Sequence, residues 1–272
     1  MNPLSRLAAA PRALWKLSVD SLDAADSQTL PPGRLSPRAR ALTVFIVASM
    51  VLIAMSYGVL NYDAQQGMAQ ALVGLATAVS PDLGAAAEPY SPLLRVSMWT
   101  LGALTFYFAI PALIIRRVFG HRLRDYGLNL DGFLRHLPIY LLLFLPVFLL
   151  VFAVASAPDF QSKYPLYKNH LGLFDLLVWE VLYALQFFAL EFFFRGFLIH
   201  GVKDRIGSLG VVAMVMPYVM IHFSKPLYET VGAVIAGTVL GLLSLRTGSI
   251  AGGVFIHVGV AWTMDFAALA HR

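Results

Sequence analysis

Cysteine is absent from this 272-residue chain, which excludes disulfides, a thiolate nucleophile and a thiolate metal site. Charge is scarce as well: only 13% of residues are Asp, Glu, Lys or Arg, while 58% are hydrophobic. With a mean hydropathy of +0.72, that balance excludes an ordinary soluble domain and implies a polytopic membrane protein. The net charge of +5 does not point to nucleic acid, because Lys and Arg lie between apolar runs rather than along one stripe. The first 40 residues hold no sustained apolar core of the kind a secretory signal needs. They read as a polar cytoplasmic arm, residues 1–40, broken by LPPG, with a short amphipathic helix around Leu4 to Leu22 as one option.

What remains is a series of apolar runs near the ~20 residues that cross a hydrocarbon core. They fall at about Ala41 to Leu60, Leu94 to Ile115, Leu137 to Ala155, Leu173 to His200, Val211 to Phe223, Val231 to Leu245 and Ile250 to Leu269. The expected fold is an all-α transmembrane bundle of about seven spans, six to eight being compatible. Residues 41–155 would be three supporting helices and residues 172–270 the core that carries the site. Basic residues cluster before the first span, at Arg116 to Arg135, at Lys203 and Arg205, and at Arg246, which puts the N-terminus in the cytoplasm if the spans alternate. Tyr62 to Tyr90 contains no Lys or Arg and reads as a connection on the opposite side.

An ionisable group inside a span costs several kcal/mol unless paired or hydrated, so each is a site candidate. Glu180, Glu191, Arg195, His222, His257 and Asp265 all lie in the last four spans. At ~1.5 Å per residue, Glu191 and His222 sit roughly 18 Å and His257 about 12 Å from the same predicted face, so three helices bring polar groups to one level. Glu191 and Arg195, at i and i+4 in LEFFFRGFLIHG, can pair on one helix face. Each histidine alone would be read as an interhelical hydrogen bond; level with a glutamate, the pair reads as a site. Glu180 and Asp265 share faces with Glu191 and His257 and would line a polar cavity. His200, Lys203 and Arg205 read as interfacial anchors, and the glycines between Gly232 and Gly241 as contacts for close helix packing.

A carboxylate beside two imidazoles suits activation of water with stabilisation of an oxyanion, the chemistry of peptide hydrolysis. No cofactor is expected; the same three residue types, His222, His257 and Glu191, are alternatively a divalent-metal set, although there is no HExxH. Serine catalysis fits poorly, since Ser224 and Ser244 lack a GxSxG elbow. A proton-linked small-solute transporter is the reading from a different class, against which stands the absence of inverted-repeat symmetry.

The spacing of these residues resembles that of the CPBP, or Abi, family of intramembrane proteases, which are similar to type II CAAX prenyl endopeptidases and bacteriocin-processing enzymes. The family pattern EExxxR falls on Leu190, Glu191 and Arg195; FxxxH falls on Tyr218 and His222 in YVMIHFSKPLYE; HxxxN falls on His257 and Ala261 in GSIAGGVFIHVGVAWTMD. The resemblance spans about Val178 to Asp265. It implies catalytic roles for Glu191, His222 and His257, supporting roles for Arg195 and Tyr218 beside the cavity-lining Glu180 and Asp265, and a membrane-associated protein or peptide as substrate in the lipid bilayer. The bacterial inner (plasma) membrane is the expected location. Three positions depart from the pattern: Leu190 stands for the first glutamate, Tyr218 for phenylalanine and Ala261 for asparagine. With Leu190 unable to accept a proton, the base would be Glu191 itself or a carboxylate brought in from elsewhere, Glu180, Glu229 or Asp265. A family member that binds a membrane partner as a scaffold or immunity-type protein without cutting it is the alternative.

Overall fold

A computed structural model describes residues 29–225 and 227–271. The possible helix around Leu4 to Leu22 lies outside the described residues. Among the described residues every regular element is a helix. We number them α1 (Pro37–Val59), α2 (Tyr62–Val79), α3 (Pro81–Phe119), α4 (Phe133–Val154), α5 (Pro158–Lys163), α6 (Leu173–Ile206), α7 (Leu209–Met220), α8 (Leu227–Thr247) and α9 (Ala251–Ala270).

Six of these, α1, α3, α4, α6, α8 and α9, are long and apolar enough to cross a membrane, so the chain is a multi-pass integral membrane protein. The run at Val211 to Phe223 forms only the 12-residue α7, which at ~1.5 Å per residue falls well short of a ~30 Å hydrocarbon core. The stretch at Tyr62 to Tyr90, read from the sequence as a connection, folds into α2 and the first turns of α3. Asn61 caps α2 by accepting from the Ala64 N–H at 2.9 Å. Small residues let these helices meet: a side chain on Gly84 would run into Thr77.

α6 sits at the centre, with 44% of its apolar window buried against 11% for α4 at the edge. Its start is fixed by Asp175, whose carboxylate accepts from the Leu171 and Gly172 N–H groups and from the Tyr167 hydroxyl, each at 2.8 Å. Past Glu191 the helix widens into a π-helical stretch, Phe192–His200, of the sort that often accompanies functional sites. Here Phe192, Phe193, Phe194 and Phe197 are all fully buried; the first three pack against Tyr107 and Phe108 of α3, and Phe197 stacks on Phe119 at the end of α3. This aromatic layer fixes the rotation of α6 about its axis, which decides which side chains face the neighbouring helices.

Glycines set the other approaches. A Cβ on Gly252 of α9 would stand 2.4 Å from the Tyr140 ring of α4, and one on Gly241 of α8 would stand 2.8 Å from Val211 of α7. Gly232, by contrast, has open space around its Cα, so only part of the Gly232 to Gly241 run serves packing.

At the Ile206 end of α6 lies a second polar cluster that the sequence reading treated as interfacial. His200 and Lys203 are buried, and His200 Nε2 meets the Ser244 hydroxyl at 3.1 Å. Asp204 pairs with Arg40 and accepts from the Leu30 N–H at 2.9 Å, tying the segment before α1 to α6. Only Arg205 remains exposed as an anchor would.

Candidate functional site

The acid of LEFFFRGFLIHG is internal. Glu191 and Arg195 are both 0% exposed, with Arg195 Nη1 3.1 Å from Glu191 Oε1. The same carboxylate oxygen meets His257 Nδ1 of α9 at 2.9 Å. Arg195 then stacks its guanidinium on the Tyr218 ring of α7, 4.1 Å from the ring centre, so a desolvated cation lies between a carboxylate and an aromatic face. The second carboxylate oxygen of Glu191 lies against Gly253, where a Cβ would come within 2.3 Å. A side chain at position 253 would force either that carboxylate or α9 with its histidine to shift.

His222 follows the end of α7. The last carbonyls of a helix have no partner within it, and the His222 ring supplies one, its Nδ1 lying 2.8 Å from the Tyr218 carbonyl. A carbonyl oxygen only accepts, so Nδ1 carries the proton and Nε2 is left with a lone pair. Thr230 of α8 donates to the His222 carbonyl at 2.8 Å, pinning the turn from the other side. Both histidines flank Tyr218, with ring centres 4.8 Å away for His222 and 6.5 Å for His257.

These rings line a cavity of about 610 Å³ bounded by α1 and by α3 to α9. Its walls are mostly apolar; besides tyrosines, Tyr164 among them, its polar side chains include Gln186, His222, Lys225, Glu229 and His257, with Asp159 at an exposed position. A large apolar chamber with a few convergent polar groups is the ordinary form of a ligand site. Leu190, Tyr218 and Ala261, the three positions that depart from the family pattern, all line the cavity, whereas Glu191 does not. Successive helix residues point about 100° apart, so with Leu190 facing the chamber Glu191 is turned into the α9 contact.

The structure therefore brings Glu191, Arg195, Tyr218, His222 and His257 together and leaves Glu180 and Asp265 outside that group. Asp265 accepts from Trp179 Nε1 at 3.0 Å and from the Leu166 N–H at 3.2 Å. Glu180 is buried with both oxygens unpartnered and does not line the cavity. No three His, Asp or Glu side chains among the described residues are arranged to hold a metal ion. In the set His222, His257 and Glu191, the carboxylate is turned to Arg195 and Gly253 and the His257 nitrogen nearest it is already engaged. Lys225, Gln186 and Tyr164 went unnoticed in the sequence as cavity residues. Tyr164 lies in the loop after α5, where neither periodicity nor spacing marks it.

Residues 172–263 match the family model for type II CAAX prenyl endopeptidase Rce1-like proteins, over the same stretch that carries all three motif-bearing helices. That stretch is similar to the CAAX protease family. No curated protein and no solved structure matches it. The matched stretch runs from α6 into α9, and within it the second motif glutamate, the arginine and both histidines occupy one connected cluster.

Proposed function

We propose that this protein is an intramembrane peptidase that hydrolyses a peptide bond of a membrane-associated protein or peptide held in the α6 to α9 cavity. The observation that carries the reading is the pair of imidazoles on one chamber wall, each anchored through Nδ1, His222 to the Tyr218 carbonyl and His257 to Glu191. Anchoring at Nδ1 leaves Nε2 of each ring for the reaction.

In this account Glu191 is a positioning residue. Its carboxylate orients His257 and balances the charge of an imidazolium there, as a buried acid does for a catalytic histidine. His257 in that form donates from Nε2 to the carbonyl oxygen as the tetrahedral oxyanion develops. His222 accepts a hydrogen bond from the attacking water and orients it. Tyr218 and Arg195 fix the angle between the two rings. The apolar remainder of the chamber suits an aliphatic or prenyl chain next to the scissile bond, in keeping with the family. We place the protein in the bacterial inner membrane with its N-terminus cytoplasmic, on the distribution of Lys and Arg.

The test uses the full chain in proteoliposomes with fluorogenic peptides, with and without a farnesyl group. Cleavage by the wild type that disappears in His222→Ala and His257→Ala supports the reading. Peptide binding without cleavage points to the scaffold class instead, and solute uptake without cleavage points to the transporter class.

A further inference from the structure

The peptidase reading leaves one part unfilled. Leu190 lines the cavity where the family carries a glutamate, and Glu191 is turned away from it. Three carboxylates were considered as substitutes from the sequence. Asp265 is closed off by Trp179 and the Leu166 N–H, and Glu180 does not reach the chamber. Glu229, in the first turn of α8, lines the chamber together with both histidines.

Its surroundings hold it there. The Tyr164 hydroxyl donates to Glu229 Oε1 at 3.0 Å, and Lys225 Nζ lies 3.4 Å from the same oxygen. Lys225 in turn donates to the Tyr164 hydroxyl at 3.0 Å, so the three side chains form a closed triangle. Both partners hold Oε1, and among the described residues Oε2 has no hydrogen bond or ion pair. The bond from Thr230, the next residue, to the His222 carbonyl ties this turn of α8 to the His222 turn. Asp159, the other cavity carboxylate, is exposed.

We infer that Glu229 is the general base of this protein, its carboxylate supplied from α8 in place of the one missing from α6. The inference rests on the peptidase reading above. In the step it would perform, one O–H bond of water breaks and its proton passes to Glu229 Oε2. The water oxygen bonds to the carbonyl carbon while His257 donates to the oxyanion. Collapse of the intermediate breaks the C–N bond, and the amine departs with the proton that Glu229 carried. The products are a carboxyl group and an amine, and the base is restored.

The decisive experiment moves the carboxylate. Glu229→Gln is expected to lower kcat by about 10²–10⁴-fold, with peptide affinity retained. Adding Leu190→Glu to that variant is expected to restore cleavage, because position 190 faces the same chamber. Restored activity also shows that the parent variant was folded. If Glu229→Gln cleaves like the wild type while His257→Ala is dead, Glu229 is only the partner of Lys225; the inference fails and the peptidase reading stands. The inference is equally overturned if the double variant is as inactive as Glu229→Gln. If the wild type cleaves nothing, both fail together.

Discussion

Glu191 holds His257 Nδ1 at 2.9 Å and Arg195 Nη1 at 3.1 Å through a single carboxylate oxygen. One fully buried acid thus fixes the orientation of a histidine on another helix and neutralises a guanidinium on its own. Removing it does two things at once. Glu191→Ala strands Arg195 as an uncompensated buried charge, and breaking such a pair from one side costs about 3–5 kcal/mol. Glu191→Gln keeps the shape and loses the charge, so it is expected to lower activity with a smaller loss of stability. Thermal unfolding in detergent, run beside the cleavage assay, checks the order of the two variants.

Gly253 is the second half of the same arrangement. With a Cβ only 2.3 Å from Glu191 Oε2, Gly253→Ala forces the carboxylate or α9 to move. Overpacking of this kind costs typically about 1–3 kcal/mol. Gly232→Ala on α8, which meets open space, is expected to be close to neutral in the same measurement.

How much of this was legible before the structure varies from residue to residue. Glu191, Arg195 and His257 were marked by helical spacing and by depth, because charges inside a span are rare and their rise along the helix is fixed. The direction in which Glu191 points was not legible, since adjacent positions 190 and 191 differ by about 100° and only the packing of the Phe192 to Phe197 aromatics selects one for the cavity. α2 was missed because its window is too polar and alanine-rich for a span, while its helical character comes from the Asn61 cap and from contacts with α3. His200 and Lys203 looked like surface anchors from their place beside a basic turn. Their burial follows from the approach of α8 and of the segment before α1, which is tertiary information.

That segment yields a prediction of its own. Asp204 binds both Arg40 and the Leu30 N–H, so Asp204→Ala releases residues near position 30 and leaves Arg40 buried without its partner. Faster limited proteolysis ahead of α1, with the rest of the chain resistant, is the expected outcome. Unchanged proteolysis would mean that the tie contributes little.

His121 gives the cluster a pH dependence. Burial, reinforced by the nearby Arg40 charge, holds its imidazole below the ordinary value of 6.5. The unfolded chain therefore binds more protons than the folded one in the window just below 6.5, and stability is present above that value and lost as pH falls through the window. Because His121 Nδ1 lies 3.0 Å from the Tyr126 hydroxyl, His121→Gln retains a polar partner for that hydroxyl but no longer titrates. The wild type is expected to lose more thermal stability than His121→Gln between pH 7 and pH 5.

The central claim is that two histidines, anchored through Nδ1 on one cavity wall, direct water to a peptide carbonyl. Mass spectrometry of peptides incubated with the full chain in H₂¹⁸O tests it most directly. The account predicts new C-termini carrying ¹⁸O with the wild type and none with His222→Ala or His257→Ala. Termini that form unchanged in both variants, or no new termini from the wild type, would contradict it.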